Sequence, residues 1–188
     1  MKITEIKTYN LNSTLENSFG WSQAWTGSRS VGIVKISTDE GIVGWGEGCE
    51  GPSATVVKDI ISPIIIGEDP INRLGIWQKM FSSMYNGNVA VGYGGSAISA
   101  VDMALWDISG KALGVPVNVL IGGRVRDQLP VYATALYYTK KEMDGALALE
   151  AQSYVEQGFL GMKTKVGGLP IDKDIQRVKF FIINQGIP

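Results

Sequence analysis

Apolar and polar residues alternate in the first part of the chain, a pattern that predicts antiparallel β-strands. The alternation is loose over residues 2–10, which are expected to form a first strand. VGIVKIST and IVGWGEG (31–38 and 42–48) flank the turn residues Asp39, Glu40 and Gly41, an arrangement that predicts a β-hairpin. The polar stretch 11–30, between the first strand and this hairpin, is interpreted as an ordered loop because it is rich in aromatic residues. The chain is therefore predicted to begin with a small antiparallel meander.

Two segments with helical spacing follow. The first helix is predicted to begin at Pro70, because proline after an aspartate suits the first helical position. Its apolar face is predicted to consist of Ile71, Leu74, Trp77, Phe81 and Met84. The second is predicted to begin near Ser96 and to end at Gly114. Its predicted apolar face is Ile98, Val101, Leu105 and Ile108.

The pattern changes after residue 125 to an alternation of strands and helices. Strands are predicted at 131–138 and 159–165, and helices at 140–158 and 170–186. Strand, helix, strand and helix in this order are typical of a parallel sheet or a (β/α) barrel.

Composition excludes several classes of function. The 188 residues carry a net charge of −1, so no basic surface for nucleic acid is expected. No apolar run has the length of a bilayer span, and the N-terminus lacks the apolar core of a signal peptide. Cys49 is the only cysteine, which excludes an internal disulfide and a thiolate metal cluster. A cytoplasmic protein without nucleic-acid or membrane partners is therefore expected.

The absence of histidine narrows the possible chemistry further. With a histidine count of 0, Ser-His and Cys-His nucleophiles, histidine metal sites and histidine bases are excluded. Acid–base catalysis by this chain would have to use lysine, carboxylate or tyrosine.

Two lysines lie two positions apart in FLGMKTKVGG, residues 159–168. Alternation along a strand would place Lys163 and Lys165 on one face, with Thr164 on the other. Two positive charges about 6.6 Å apart would repel each other by roughly 2.5 kcal/mol at an effective dielectric constant of about 20. This repulsion would lower the pKa of one lysine towards the range of a general base. The alternative is a strand end that simply reaches solvent.

The segment 17–29 combines aromatic rings with polar groups, and two interpretations stay open. Loops of this composition close over polar ligands, or they pack onto their own domain. The candidate binding residues are Phe19, Trp21, Gln23, Trp25 and Arg29. Elsewhere, Asp102 and Asp107 are spaced poorly for a metal pair and are expected to hold their helix to neighbouring loops.

Three stretches together resemble the mandelate racemase/muconate lactonizing enzyme family of the enolase superfamily. DEGIVGWGEG (39–48) is similar to the hairpin of the family's capping domain. SAVDMALWDISGKALGVPVNVLIGG (99–123) is very close to its helix signature, and GMKTKVGG (161–168) resembles its Lys-x-Lys motif. The resemblance covers essentially the whole chain. It implies an α+β capping domain over 1–125, followed at 126–188 by the first two βα units of an incomplete (β/α) TIM-like barrel.

The resemblance also implies a chemistry. Family members use Mg²⁺ to stabilise the enediolate that forms when the proton α to a carboxylate is removed. Lys165 would be the base, and Lys163 would lower its pKa and help to hold the carboxylate. Segment 17–29 would close over a small-molecule substrate. A sugar-acid dehydratase is favoured because Gln23 and Arg29 suit a polyhydroxylated ligand; a racemase or epimerase and a cycloisomerase are the alternatives.

The resemblance places the Mg²⁺ ligands outside this chain, on later barrel strands. A complete barrel needs about 250 residues, whereas about 60 follow the capping domain. The chain is therefore expected to be an N-terminal fragment, inactive by itself. The alternative of another class is a non-catalytic remnant that self-associates, because open strand edges and apolar faces favour a homo-oligomer.

Overall fold

The computed structural model describes residues 1–85, 90–139 and 146–185, with side chains as far as residue 179. By its internal contacts the chain divides into two compact units. The first unit consists of Met1–Asn12 and Ser30–Val125, and the second of Ser13–Arg29 and Arg126–Pro188. The first two strands contribute residues to both units.

The first unit contains the predicted antiparallel meander. Its strands are β1 (Ile3–Trp21), β2 (Ala24–Thr38) and β3 (Val43–Glu47), with β2 in the middle. The β2–β3 register runs from Ile33 opposite Glu47 to Ser37 opposite Val43, which confirms the predicted hairpin. Gly41 in its turn has a φ of 79°, a conformation that glycine adopts without steric cost.

The prediction of a loop at 11–30 was wrong, because these residues continue β1 and β2. The strands extend to Trp21 and restart at Ala24, leaving Ser22 and Gln23 as the turn. Most side chains of this stretch are exposed, so no buried face imposes a regular apolar alternation on the sequence. Backbone pairing maintains the hairpin there, together with side-chain contacts across it such as the hydrogen bond from Asn12 to Ser30.

A helical segment at 52–65 was missed by the sequence analysis. It consists of α1 (Pro52–Val56), a π-helical turn (Val57–Ile61) and α2 (Ser62–Ile65). The wide turn precedes Pro63, which has no N–H to donate within a regular helix. Val57, Ile61 and Ile65 are fully buried in the core of the first unit.

Helix α3 (Arg73–Tyr85) begins three residues later than predicted and buries a different face. The Oδ1 atom of Asp69 accepts the N–H of Ile71 at 3.0 Å, which holds a turn ahead of the helix. Ile76, Met80 and Met84 form the buried face, whereas Leu74 is 74% exposed. Two apolar stripes lie on this helix, and packing against the core selected the less aromatic one.

Helix α4 (Tyr93–Leu113) buries the predicted face of Ile98, Val101, Leu105 and Ile108 and ends at Gly114, whose φ is 67°. It begins at Tyr93 rather than near Ser96. The short helix α5 (Val117–Leu120) follows it.

Close packing joins β3 to α4. A Cβ atom at Gly46 would overlap the carbonyl oxygen of Ala100, so only glycine permits this approach. The Oδ2 atom of Asp107 accepts the N–H of Trp45 at 2.9 Å and the Nζ of Lys111 at 2.7 Å. Asp107 therefore holds its helix to a neighbouring strand, whereas the sequence had suggested a neighbouring loop.

The second unit contains short strands and two helices. Its elements are β4 (Ala133–Thr134), β5 (Tyr138–Thr139), α6 (Ala146–Glu156), β6 (Met162–Lys163) and α7 (Ile171–Gln185). Strands β4 and β6 are parallel, with Ala133 opposite Met162. Strand β5 instead pairs antiparallel with β1, with Phe19 opposite Thr139.

Both strands predicted in this unit are shorter in the structure. The predicted strand 131–138 is interrupted at Leu136, whose φ of 56° is incompatible with extended backbone. The predicted strand 159–165 is regular only at Met162–Lys163. The start of the predicted helix 140–158, at 140–145, lies outside the described residues. Within the described ranges, no helix has both the length and the apolar character needed to cross a membrane.

Candidate functional site

The lysine pair lies where β6 ends. Regular strand structure stops at Lys163, so the alternation on which the one-face prediction depends does not extend to Lys165. The Lys163 side chain is exposed, whereas Lys165 is partly buried. Thr164 donates its hydroxyl to the carbonyl of Leu136 at 3.1 Å. The two lysines therefore differ in environment although they are two positions apart.

The amine of Lys165 is buried without a polar contact. Among the described residues, no hydrogen-bond partner lies within reach of its Nζ atom. Its contact is instead aromatic, because Nζ lies 4.2 Å from the centroid of the Tyr137 ring. The amine is thus held by a ring face, and no described residue accepts a hydrogen bond from it.

Tyr137 connects Lys165 to the hairpin tip. Its ring centroid is 4.5 Å from that of Phe19 and 6.5 Å from that of Trp21. The Arg29 guanidinium carbon lies 4.6 Å from the Phe19 centroid on the other strand of the hairpin. The pairing of β1 with β5 brings these side chains together, although the sequence separates Phe19 from Tyr137 widely.

The turn of the hairpin is bound to the segment that follows Lys165. The hydroxyl of Ser22 donates to the carbonyl of Gly167 at 3.3 Å. The N–H of Gly168 donates to the hydroxyl oxygen of Tyr138 at 3.1 Å. A Cβ atom at Gly168 would lie 2.5 Å from the Tyr138 ring, so this approach also requires glycine. The hairpin tip therefore lies against the backbone next to the lysine motif.

Asp174 of α7 organises the same backbone. It is 8% exposed and accepts the Tyr138 hydroxyl at 2.5 Å and the N–H of Gly167 at 2.6 Å. Burial alone would raise the pKa of Asp174, but these hydrogen bonds, one from the N–H of Leu169 and the charge of Arg177 hold it below its ordinary value. Burial, followed by the hydrogen bond to Asp174, raises the pKa of Tyr138. An ionised carboxylate and a neutral phenol therefore lock this corner at neutral pH.

The structure brings together some of the residues selected from the sequence and leaves others apart. Lys165, Phe19, Trp21 and Arg29 belong to one cluster centred on Tyr137. Gln23, Trp25 and Lys163 are exposed, and the Trp25 ring lies over Gly20, between Phe19 and Trp21.

Four residues of the site were not identified from the sequence: Tyr137, Tyr138, Asp174 and Arg177. The consecutive tyrosines at the end of a predicted strand were the only signal available for the first two. Asp174 lies in the first turn of α7, and its position in the sequence does not indicate its contacts.

The described residues provide no ligand set for a metal ion. Within the described ranges, no group of three or more histidine, cysteine, aspartate or glutamate residues could hold one.

An antiparallel sheet packed on helices, followed by parallel βα segments with a lysine motif, defines the N-terminal part of an enolase-superfamily protein. The chain belongs to the mandelate racemase/muconate lactonizing enzyme family, whose N-terminal domain matches residues 3–122. The resemblance inferred from the three sequence stretches is thereby confirmed.

Relatives in this family differ in reaction. D-galactonate dehydratase of Variovorax paradoxus (strain S110) is 42% identical over 137 residues, which are 71% of this chain and 31% of the relative. N-succinyl-L-Arg/Lys racemase of Bacillus cereus (strain ATCC 14579) is 33% identical, with 95% of this chain and 48% of the relative covered. The solved structure of 3,6-anhydro-D-galactonate cycloisomerase from Zobellia galactanivorans superposes with a TM-score of 0.81 at 36% identity, over 98% of this chain and 48% of that one. The chain thus spans half or less of the length of these relatives.

Proposed function

We propose that this chain is the N-terminal part of an enzyme that removes the proton α to a carboxylate group, and that its substrate is a sugar acid. In this proposal residues 1–125 are the capping domain and residues 126–188 begin the barrel. Family membership supports the reaction class, because the relatives include dehydratases, cycloisomerases and racemases. The chain by itself is expected to be inactive, since it spans half or less of these relatives.

The observation that carries the proposal is the environment of Lys165. A buried amine without a hydrogen bond among the described residues is a costly arrangement unless a ligand meets it. A substrate carbon placed against Nζ could transfer its α-proton to the amine in its neutral form. The C–H electron pair would then remain on the substrate as an enediolate, and the amine would become an ammonium ion.

Other residues of the segment would hold the substrate. Phe19 and Trp21 would form an apolar wall beside Lys165, and Arg29 would provide a positive charge on the same hairpin. Lys163, Gln23 and Trp25 are exposed and would serve the substrate's carboxylate and hydroxyl groups. Mg²⁺, which family membership implies for the complete enzymes, would stabilise the enediolate, and the described residues provide no ligand set for it.

Dehydration is the reaction we favour after proton removal. D-galactonate dehydratases are among the relatives with the higher identities, at 42% and 43%. An arabinonate dehydratase of Saccharolobus solfataricus is 35% identical over 151 residues. Galactonate and arabinonate are carboxylates with several hydroxyl groups, and the polar residues Ser22, Gln23 and Arg29 of the hairpin suit such ligands. Racemisation and cycloisomerisation would begin with the same proton transfer.

The test uses the longest reading frame that contains this chain. The purified product is incubated in D₂O with Mg²⁺ and a panel of aldonic and aldaric acids, and α-proton exchange is followed by ¹H NMR. We expect exchange with at least one acid, and Lys165→Met should reduce it by about 10²–10⁴-fold, the typical contribution of a general base. Formation of a 2-keto-3-deoxy acid would identify dehydration, whereas exchange without loss of water would favour racemisation.

The matched control is Lys179→Met, a lysine of α7 outside the cluster. It should leave exchange unchanged, which separates the loss of the base from the loss of any positive charge. Exchange at the normal rate in Lys165→Met would remove this lysine from the mechanism. No exchange with any carboxylate would contradict the reaction class.

A further inference from the structure

Leu136 adopts a backbone conformation that its side chain disfavours. It is fully buried and has a φ of 56°, in the left-handed region. For a residue with a Cβ atom this conformation is sterically disfavoured. Such a residue persists only where its surroundings hold it, and strained residues of this kind cluster at functional sites. The contacts that hold Leu136 therefore indicate what the strain positions.

Three side chains bind the backbone at this point. The N–H of Leu136 donates to Oε1 of Glu150 at 3.3 Å, and its carbonyl accepts the hydroxyl of Thr164. The Nη2 atom of Arg177 donates to the carbonyls of both Leu136 and Tyr137, at 3.0 and 3.1 Å. Arg177 is the contact that spans two successive peptide groups, so it restrains the direction in which the chain leaves the turn.

The same guanidinium also packs on a ring. Its central carbon lies 4.4 Å from the centroid of Tyr138, the next residue along the chain. The guanidinium lies over the ring while its Nη2 atom alone donates both hydrogen bonds. Arg177 thus contacts three successive residues, 136–138, from helix α7.

Tyr137 lies in the middle of this restrained stretch, and its ring is the contact of the Lys165 amine. Its position is set by the turn at Leu136 on one side and by Phe19 on the other. A change in the Leu136–Tyr137 backbone would therefore move the ring away from the amine. Arg177 does not need to touch a substrate to affect how Lys165 is presented.

We propose that Arg177 is a positioning residue for Lys165: by holding the carbonyls of Leu136 and Tyr137, it keeps the Tyr137 ring against the lysine amine. This inference depends on the proposed function only for the statement that Lys165 meets a substrate. The positioning itself is a property of the chain as it stands, and the test below measures it without any substrate.

The test is competitive labelling of the chain with trace acetic anhydride, with peptide mass spectrometry to compare Lys165 with exposed Lys2. In the unaltered chain the buried Lys165 amine should react at least 10-fold more slowly than Lys2. Arg177→Lys keeps the charge but shortens the side chain and removes the guanidinium from the Tyr138 ring, and should raise the relative rate at least 5-fold. Tyr137→Leu, which removes the ring directly, should produce a similar increase.

A double variant, Arg177→Lys with Tyr137→Leu, tests whether Arg177 affects Lys165 through the Tyr137 ring. If Arg177 acts through Tyr137, Arg177→Lys in the Tyr137→Leu background should add less than a 2-fold increase. Full additivity would show that Arg177 acts elsewhere and would overturn the proposal. Lys179→Met on the same helix should leave the Lys165 rate unchanged.

Two further measurements prevent a folding defect from being mistaken for lost positioning. Circular dichroism must show that Arg177→Lys retains its helices. If it does not, Thr164→Val replaces it, because this change removes another hydrogen bond to the Leu136 carbonyl and should raise the rate at least 2-fold. A folded Arg177→Lys or Thr164→Val chain with the original Lys165 rate and labelling pH profile would contradict the proposal.

Discussion

At the scale of single residues, the contact of α7 with Tyr138 and Gly167 depends on one ionised side chain. Asp174 accepts hydrogen bonds from Tyr138 and from the backbone of Gly167, so it joins three segments of the second unit. Because its pKa lies below the ordinary value, the folded state binds fewer protons than the unfolded state as the pH rises from acid. This contribution to stability is complete above the unfolded pKa of about 4 and is lost as the pH falls through the lower folded pKa.

The first prediction concerns the hydrogen bond between Tyr138 and Asp174 and its dependence on pH. Replacing Tyr138 by Phe should cost about 1.5–3 kcal/mol at pH 7, since it removes a hydrogen bond to a charged group. Urea unfolding between pH 2 and 7, followed by tryptophan fluorescence, measures the free energy of unfolding. The unaltered chain should lose stability on acidification below about pH 4, and Asp174→Asn should show a smaller loss over the same interval. Equal acid slopes in the two chains would contradict the role given to Asp174.

At the scale of secondary-structure elements, the approach of β3 to α4 depends on glycine. Gly44 and Gly46 face the helix backbone at Ala104 and Ala100, where any side chain would overlap a carbonyl oxygen. The strand and the helix could accept an extra methyl group only by moving apart, which would open the core around them.

The second prediction tests this contact. Gly46→Ala should destabilise the first unit by about 1–3 kcal/mol or more, because overpacking forces the backbone apart. Thermal unfolding monitored by circular dichroism measures the effect. Gly27→Ala is the matched control: a Cβ atom there meets nothing within 4 Å, and its effect should stay within about 0.5 kcal/mol. Equal melting temperatures for the two variants would show that β3 and α4 are not packed this closely.

At the scale of the whole molecule, large apolar side chains remain at the surface of the second unit. Leu160 is 98% exposed, Ile171 80% and Leu149 70%. Ile171 and four other apolar residues line an open groove of about 520 Å³ beside α7; the other four are Val166, Leu169, Ile175 and Val178. Exposed apolar surface on this scale favours association, because burying it removes it from water.

The third prediction is that the chain self-associates. Light scattering during size-exclusion chromatography at micromolar concentration should give a mass at least twice the 20.3 kDa of one chain. The mass should fall on dilution if the association is reversible. A monomer at all concentrations would contradict the expected homo-oligomer.

Two elements with a regular buried face were predictable from the sequence, whereas the buried helical segment 52–65, with its wide turn, and the exposed hairpin tip were not. The 31–48 hairpin and α4 each bury one face, so their apolar residues recur with the period of the element. The hairpin tip at 13–29 is mostly exposed and was mistaken for a loop. The face of α3 was misjudged because two apolar stripes compete along it, and only packing decides which of them is buried.

The candidate site was predictable only in part, for the same kind of reason. Lys165, Phe19, Trp21 and Arg29 were identified by residue type and by the family motif. Their common contact Tyr137 was not, since nothing in a strand sequence shows which ring will meet an amine. The predicted strand containing Tyr137 also hides the turn at Leu136, because leucine rarely adopts a positive φ.

The family, the antiparallel start, the long helix α4 and the two-lysine motif could all be recognised from the residues alone. Each of them depends on neighbouring residues or on a local period. The tertiary structure alone decided which groups meet: Ser22 bonds to Gly167 across 145 positions, and Arg177 to Leu136 across 41. Such contacts depend on how strands pair and helices pack in space. Local periodicity shows only which residues share a face of one element, so it does not indicate these long-range contacts.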